Sequence, residues 1–329
     1  MKHPLLKFLS KVLLSLVLIA GAGTVGWLAG KFLLKTQSES SLELVESEEQ
    51  EMAIPEPSQK LTFPALDDPE PEPNAQLTEL ERQRKLDLRQ RRLDIGINYE
   101  FYQQLVNQLF WQKYPEQQGI LPSNEPQDGQ WREYWDQTAS QVLDKLALIS
   151  DRSRRKLGKY TRVDRNRFYQ EIRELNLSNR TFSDLVDAEF FYYFSNQIDR
   201  NFSNEPIEQV WLAIATEKIN QLQSGKVMQE VDFSLEQEVE IISGNLKPGQ
   251  GQAYVARLAP KQLRAITLQA ADGVLLSVYS PTGNTFILED SQQKYWAGEV
   301  REAGLYEFVV VSQTNQSVEY QLSIVVNRI

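Results

Sequence analysis

Residues 239–268 read V-E-I-I-S-G-N-L-K-P-G-Q-G-Q-A-Y-V-A-R-L-A-P-K-Q-L-R-A-I-T-L, and they decide the class of the C-terminal third. Val239, Ile241 and Leu246, then Tyr254, Ala256 and Leu258, then Ile266 and Leu268 alternate with polar neighbours. That is the period-two pattern of a half-buried strand. Lys247-Pro248-Gly249 supplies turn chemistry between the first two runs. The pattern continues through Val274, Leu276 and Val278, Phe308 and Val310, and Leu322, Ile324 and Val326. Further turns fall at Asp272-Gly273, Ser280-Pro281-Thr282-Gly283 and Ala303-Gly304. About eight short strands at this spacing predict an antiparallel β-sandwich over 236–329. Gly298 and Gly304 suit backbone with positive φ, and Trp296 and Tyr306 suit the space between two sheets.

Upstream, over 76–225, the period changes to that of a helix. Leu86, Leu93, Ile97, Phe101, Leu105 and Leu109 recur at about four-residue intervals, which predicts one helix of about 35 residues ending near Tyr114-Pro115. A second helix is expected from about Gln130 to Leu148. Ser150 with Asp151, then Thr161, then Ser178 or Thr181 can open further helices, and Gly158 can close one. Pro206 opens the last and Gly225 closes it. The segment reads as an all-α bundle with Phe182, Leu185, Val186, Phe190, Phe191 and Phe194 in its core.

The chain begins differently. Val12 to Ala29 is an uncharged apolar run between Lys7, Lys11 and Lys31, Lys35. Extended to Leu34 it is long enough to cross the roughly 30 Å hydrocarbon core of a bilayer. Residues 1–35 therefore read as a cytoplasmic tail and a single transmembrane helix, with the bulk of the chain outside an inner or plasma membrane. Ala20-Gly21-Ala22 also has the form of a signal-peptide cleavage site, but the apolar run continues past it. Ala22, Gly26 and Gly30 share one helix face at the spacing that lets membrane helices pack, which makes a homodimer an option. Residues 36–75 carry eleven acids against Lys60 and six of the fourteen prolines. They read as an acidic, Pro-rich disordered linker. The expected architecture is thus multidomain: anchor, linker, helical bundle, jelly-roll-like sandwich.

Composition removes many reactions. The chain has no cysteine and one histidine, His3. Cysteine and histidine nucleophiles, bases and zinc sites cannot be built after the anchor. No phosphate loop of the G-x-x-x-x-G-K form occurs. An enzyme would rest on carboxylates alone, and Glu133 with Asp136 beside Trp131, Tyr134 and Trp135 is the pair to name for glycan hydrolysis. Trp111, Tyr114, Trp131, Tyr134 and Trp135 form an aromatic-rich set that suits sugar stacking, although interhelix packing is the preferred reading. Basic residues gather in two clusters that include Arg84, Arg89, Arg91 and Arg92, and Arg154, Arg155 and Lys156. Such density can hold an anionic partner, but acidic neighbours make a solvated, internally paired face the preferred reading.

The sandwich region resembles the bacterial pre-peptidase C-terminal domain. The resemblance is carried by Ile242-Ser243-Gly244-Asn245-Leu246, Gln252-Ala253-Tyr254 and Val278-Tyr279-Ser280-Pro281-Thr282-Gly283, then by Trp296-x-Gly298, Gly304-x-Tyr306 and Tyr320-x-Leu322-x-Ile324. It implies an accessory or binding unit of a secreted protein and implies no proteolysis. Some members of that family bind calcium, and Asp272, Glu289 and Asp290 are the nearby oxygen donors, with turn roles preferred. The helical part resembles uncharacterised cyanobacterial membrane-anchored proteins. Together these readings lead to the expectation of a non-enzymatic, membrane-anchored envelope protein without a cofactor. It would present the helical module and sandwich to a protein or envelope-polymer partner. A carboxylate-dependent envelope glycan hydrolase is the first alternative. A cytoplasmic-facing binder of nucleic acid or another anion is the second, with nucleic acid not expected for an exported domain.

Overall fold

The computed structural model describes residues 77–233, 238–282 and 286–327, all within one compact unit of the chain spanning 63–329. Seven helices come first: α1 (Glu79–Asp94), α2 (Tyr99–Lys113), α3 (Gly129–Leu146), α4 (Asp151–Arg154), α5 (Arg162–Glu174), α6 (Asn179–Tyr193) and α7 (Glu208–Gln223). Nine strands follow: β1 (Met228–Glu230), β2 (Val239–Leu246), β3 (Gly251–Leu258), β4 (Leu263–Ala270), β5 (Val274–Tyr279), β6 (Phe286–Ser291), β7 (Tyr295–Ala297), β8 (Gly304–Ser312) and β9 (Val318–Val326). They form two sheets, a five-stranded one ordered β1-β3-β8-β5-β6 and a four-stranded one ordered β2-β9-β4-β7.

Three features correct the expected architecture. The single long helix is two, because Gly96 turns the chain with φ 69° and Asn98 then caps α2 by accepting from the Phe101 N–H. The sheets reach upstream of the expected sandwich boundary at 236, since β1 adds to β3 in parallel, while the pairings among β2 to β9 are antiparallel. Above all, helices and sandwich are not successive independent bodies. Ala253 and Val255 of β3, Leu275 and Tyr279 of β5, and Val309 and Val311 of β8 belong to the helices' core. Their neighbours Tyr254, Ala256, Leu276, Val278, Phe308 and Val310 fill the sandwich interior. The five-stranded sheet is buried on both faces, as the near-continuous apolar runs of β5 and β8 require.

The membrane-anchored part of the expected fold is also corrected. Among the described residues no helix is long and apolar enough to cross a membrane, and the run from Val12 to Leu34 expected to do so lies outside the described residues. The segment with Ala22, Gly26 and Gly30 lies outside the described residues. Of the two glycines expected to need positive φ, only Gly304 has it, at 147°. Gly298 is small for another reason: a Cβ there would lie 2.7 Å from the Trp296 ring.

The helices hide an internal duplication that the periodicity reading misses. Adding 80 to a residue number carries 95–143 onto 175–223. Ser123-Asn124-Glu125-Pro126 recurs as Ser203-Asn204-Glu205-Pro206, and Leu105, Val106, Phe110, Gln117 and Trp131 recur as Leu185, Val186, Phe190, Gln197 and Trp211. The backbone repeats as well. Gly96 and Asn176 both turn with positive φ, as do Gly119 and Asp199. Tyr114 and Phe194 end their helices at φ −128°, ψ 77° and φ −129°, ψ 61°, and each leads into a 3-10 turn, Pro115–Gln117 or Ser195–Gln197. The module is therefore two stacked helical repeats, in the manner of a short solenoid.

The stacking has a direction. Phe101 of α2 packs where a Cβ on Gly158 would sit, while Gln108 and Gln112 bond to the second repeat. The equivalent residues of α6 face the sandwich: Thr181 donates to Glu307, and Tyr192 and the Ala188 carbonyl crowd Gly249. The five-stranded sheet occupies the place that a third repeat would take.

Candidate recognition site

The sandwich covers one end of the stack, and the other end, on repeat one, is open in the sense that no further repeat lies on it among the described residues. There Tyr114 at the end of α2 stacks on Tyr134 of α3, with ring centroids 5.1 Å apart and planes within 9°. Trp131 meets both edge-on at 5.7 Å, and buried Phe110 closes the cluster from below. Ile120 and Leu121 on the adjoining loop are 57% and 43% exposed. An apolar, half-exposed aromatic surface of this kind is where a partner gains most on docking.

The loop 115–128 is held in shape from beneath. Arg132 is buried and gives one nitrogen to the carbonyls of Ser123 and Glu125, at 2.6 and 2.7 Å. Its other nitrogens pair with Glu81, whose carboxyl is held below its usual range first by the Thr78 N–H and further by Arg132. Asp128 accepts from the Ser123 N–H and hydroxyl at 2.7 and 2.6 Å. The indole of Trp111 donates to the Ile120 carbonyl at 2.9 Å, and that of Trp135 to Asn107 at 2.8 Å. Gln130 donates to the Tyr134 hydroxyl at 2.7 Å. The platform is pre-formed, which lowers the ordering cost of binding.

A second concentration of polar groups lies where α6 meets the five-stranded sheet. Buried Glu307 of β8 accepts from the Ser178 N–H and hydroxyl at 2.8 and 2.6 Å and from the Thr181 hydroxyl. A carboxylate at a helix N-terminus is electrostatically favourable, yet burial pushes Glu307 above its ordinary range, with those donors opposing. Tyr279 donates to Asp184 at 2.6 Å. Burial, then repulsion from Asp290, holds Asp184 well above the usual carboxylate range. Arg180 pairs with Glu289 at 3.1 Å. These bonds are structural fasteners between the two layers. A shallow groove of about 550 Å³ on the outer four-stranded sheet, lined by Ser243, Asn245, Gln269, Glu319 and Gln321, gathers uncharged amides and one carboxylate.

The basic residues singled out by sequence are engaged within the fold. Arg84 and Lys85 pair with Asp136, and Arg91 binds Ser140 and Asp144. Arg92 is buried against the Ile97 carbonyl, and Arg89 is engaged too. Arg154 binds the carbonyls of Ile95, Ala147 and Ile149, Arg155 pairs with Asp151, and Lys156 pairs with Asp164. The Glu133–Asp136 pair is also not assembled, since Glu133 faces solvent while Asp136 is 3% exposed and neutralised. Asp272 sits near Lys294, apart from Glu289 and Asp290 in their roles at the junction. Among the described residues no group of three or more His, Cys, Asp or Glu could hold a metal. The signal for the open end was present in the chain, in the repeated S-N-E-P, but single-residue periodicity does not register it.

No known family profile matches the chain. It is 30% identical over 326 residues to the serine/threonine-protein kinase-like protein E of Synechocystis sp., covering 96% of this chain and 49% of that protein. The chain thus spans about half the length of this curated relative. Among solved structures, the periplasmic inhibitor of g-type lysozyme from Aeromonas hydrophila is similar over 31% of this chain and 96% of its own, at 14% identity and a TM-score of 0.28. Its Salmonella Typhimurium counterpart covers 30% and 97%, at 14% and 0.24. The kinase-like name of that relative runs against the expectation that the chain is not an enzyme, and it carries no reference to a cell-envelope or pre-peptidase protein.

Proposed function

We propose that the helix–sandwich unit is a recognition module that works within a serine/threonine-kinase-like system, binding a protein or polymer ligand at the open end of repeat one. The observation that carries this reading is the contrast between equivalent positions. Phe194 is 1% exposed and Ile207 fully buried in repeat two, whereas Tyr114 is half-buried and Gln127 exposed in repeat one. A rigid aromatic surface with exposed Ile120 and Leu121 beside it has the composition of a binding hot spot. The sandwich then acts as the accessory layer that its resemblance implies, closing the far end of the stack and fixing α6. The kinase-like name of the Synechocystis relative supports placing such a module beside kinase-like chemistry.

The reading is tested by titrating the full chain with soluble oligosaccharides, proline-rich peptides and helical peptides while following tryptophan emission, since Trp111 and Trp131 flank the site. One class should give a saturable change that weakens roughly tenfold or more in the double variant Ile120→Ser, Tyr134→Ala, in line with hot-spot truncations of about 1–2 kcal/mol or above. If every response is indifferent to that variant, the open end is not the binding surface.

A further inference from the structure

We propose, resting on that recognition reading, that the open end of repeat one docks an amphipathic partner helix bearing two glutamines one turn apart. The molecule already contains a worked instance of this contact. In repeat two the S-N-E-P loop and the 3-10 turn before it are occupied by α2 of repeat one. Gln108 donates to the Glu205 carboxylate and accepts from the Ile207 N–H at 2.9 Å. One turn further along, Gln112 accepts from the Gln197 side chain at 2.6 Å. Lys145 lies 4.7 Å above the Phe194 ring.

Every receptor group of that contact is duplicated in repeat one. Glu125 stands for Glu205, Gln117 for Gln197, the Gln127 N–H for that of Ile207, and the Tyr114 ring for Phe194. The side chains of Glu125 and Gln117 have no partner among the described residues, and Glu125 and Gln127 are exposed. The supporting frame is also in place, because Arg132 and Asp128 hold the loop through bonds within repeat one.

The differences between the copies say what kind of helix fits. Gln127 and Gln130 replace Ile207 and Val210, so the new interface is more polar than the internal one, as suits a partner that arrives from solution and leaves again. Glu116, Glu125 and Glu133 are exposed around the ring cluster. A basic residue next to the second glutamine therefore finds acidic neighbours, beside a Tyr114 ring that Lys113 already approaches to 5.3 Å. The sequence Gln108-x-x-x-Gln112-Lys113 of α2 has that composition itself, which makes it the natural probe.

The test uses a fluorescein-labelled synthetic peptide spanning residues 98–114, added to the full chain and followed by anisotropy. Saturable binding is expected. It should weaken roughly tenfold when Gln108 and Gln112 of the peptide are alanine, and equally when the full chain carries Glu125→Ala with Gln117→Ala, in keeping with lost hydrogen bonds to a charged acceptor. An unchanged thermal melt of that variant confirms an intact fold. Absence of saturable binding, or binding indifferent to both sets of substitutions, overturns the proposal. If the peptide fails while the Ile120→Ser, Tyr134→Ala variant still loses another ligand, recognition stands and the helical class falls. Exposed Gln137 and Gln141 of α3 offer a second copy of the chain the same spacing. Sedimentation showing a dimer that is lost in Gln137→Ala with Gln141→Ala would assign the face to self-association and likewise overturn the proposal.

Discussion

Repeat one and repeat two share a backbone and differ in what lies on top of them. Where α2 and Lys145 cover the second copy, its positions are Phe194, Ile207 and Val210, all buried. Where no described element covers the first copy, the same positions are Tyr114, Gln127 and Gln130. The core beneath is almost unaltered, with Leu105 and Leu185, Val106 and Val186, Phe110 and Phe190 all fully buried. Chemistry at a solenoid position therefore follows its neighbour rather than its own fold, and the aromatic rings that repeat one retains are the part that simple end-capping does not require.

The largest test of that contrast compares truncations of equivalent rings. Phe194→Ala empties a covered site and should cost about 3–5 kcal/mol of unfolding free energy. Tyr114→Ala, at an open site that already touches water, should cost about half of that or less. Chemical denaturation of the full chain by urea, read by circular dichroism, gives both values. Equal losses would mean that repeat one is covered after all, and the comparison would collapse.

A middle-sized effect separates Asp184 from its counterpart Gln104. Gln104 is exposed, whereas Asp184 faces Tyr279, Ser277, Asp290 and Asp187 at the sheet junction, with Arg180 and Glu289 paired close by. Its carboxyl titrates above the unfolded value, so the folded state holds the proton longer. Stability from this group is thus greatest below the ordinary carboxylate range and declines as pH rises toward its folded value. Asp184→Asn keeps an acceptor for the Tyr279 hydroxyl and removes the penalty. The variant should gain on wild type as pH rises above about 4, by up to about 1.4 kcal/mol per unit of displacement. Gln104→Asp should show no comparable pH dependence. A stability difference for Asp184→Asn that is flat with pH would contradict a proton held at the junction.

The sandwich strands were legible because Ile266 and Leu268, or Leu322 and Ile324, face the core while the residues between them face outward. The layer of helices on the other sheet was not, although β5 (VLLSVY) and β8 (GLYEFVVVS) lack that alternation. Two covered faces erase the period-two signal, and reading those strands as half-buried discards the information that something packs on their second side. The break at Gly96 escaped for a similar reason. Ile97 stays in phase with Leu93 and Phe101, so the apolar stripe runs through a turn that glycine makes without interrupting it. As for the candidate site, Trp111, Tyr114, Trp131, Tyr134 and Trp135 were legible as one aromatic set, but their exposure depends on which repeat lies outermost, and the 80-residue duplication is what reveals that.

The smallest effect concerns the turn common to both repeats, where Gly96 at φ 69° corresponds to Asn176 at φ 56°. Left-handed backbone costs an ordinary residue about 1–2 kcal/mol, less for asparagine, and little for glycine. Asn176→Gly should therefore stabilise the fold by several tenths of a kcal/mol, and Gly96→Asn should lose a similar amount. The space is adequate for the second change, since the nearest group to a Cβ on Gly96 is the Arg155 Cγ at 4.0 Å. Thermal melts of the two single variants and the double exchange check this. Gains and losses that cancel in the exchange show that the two turns are interchangeable parts of one duplicated design. A large loss from Gly96→Asn alone would show instead that the Arg155 side chain cannot yield, and that repeat one needs glycine for packing rather than for backbone freedom.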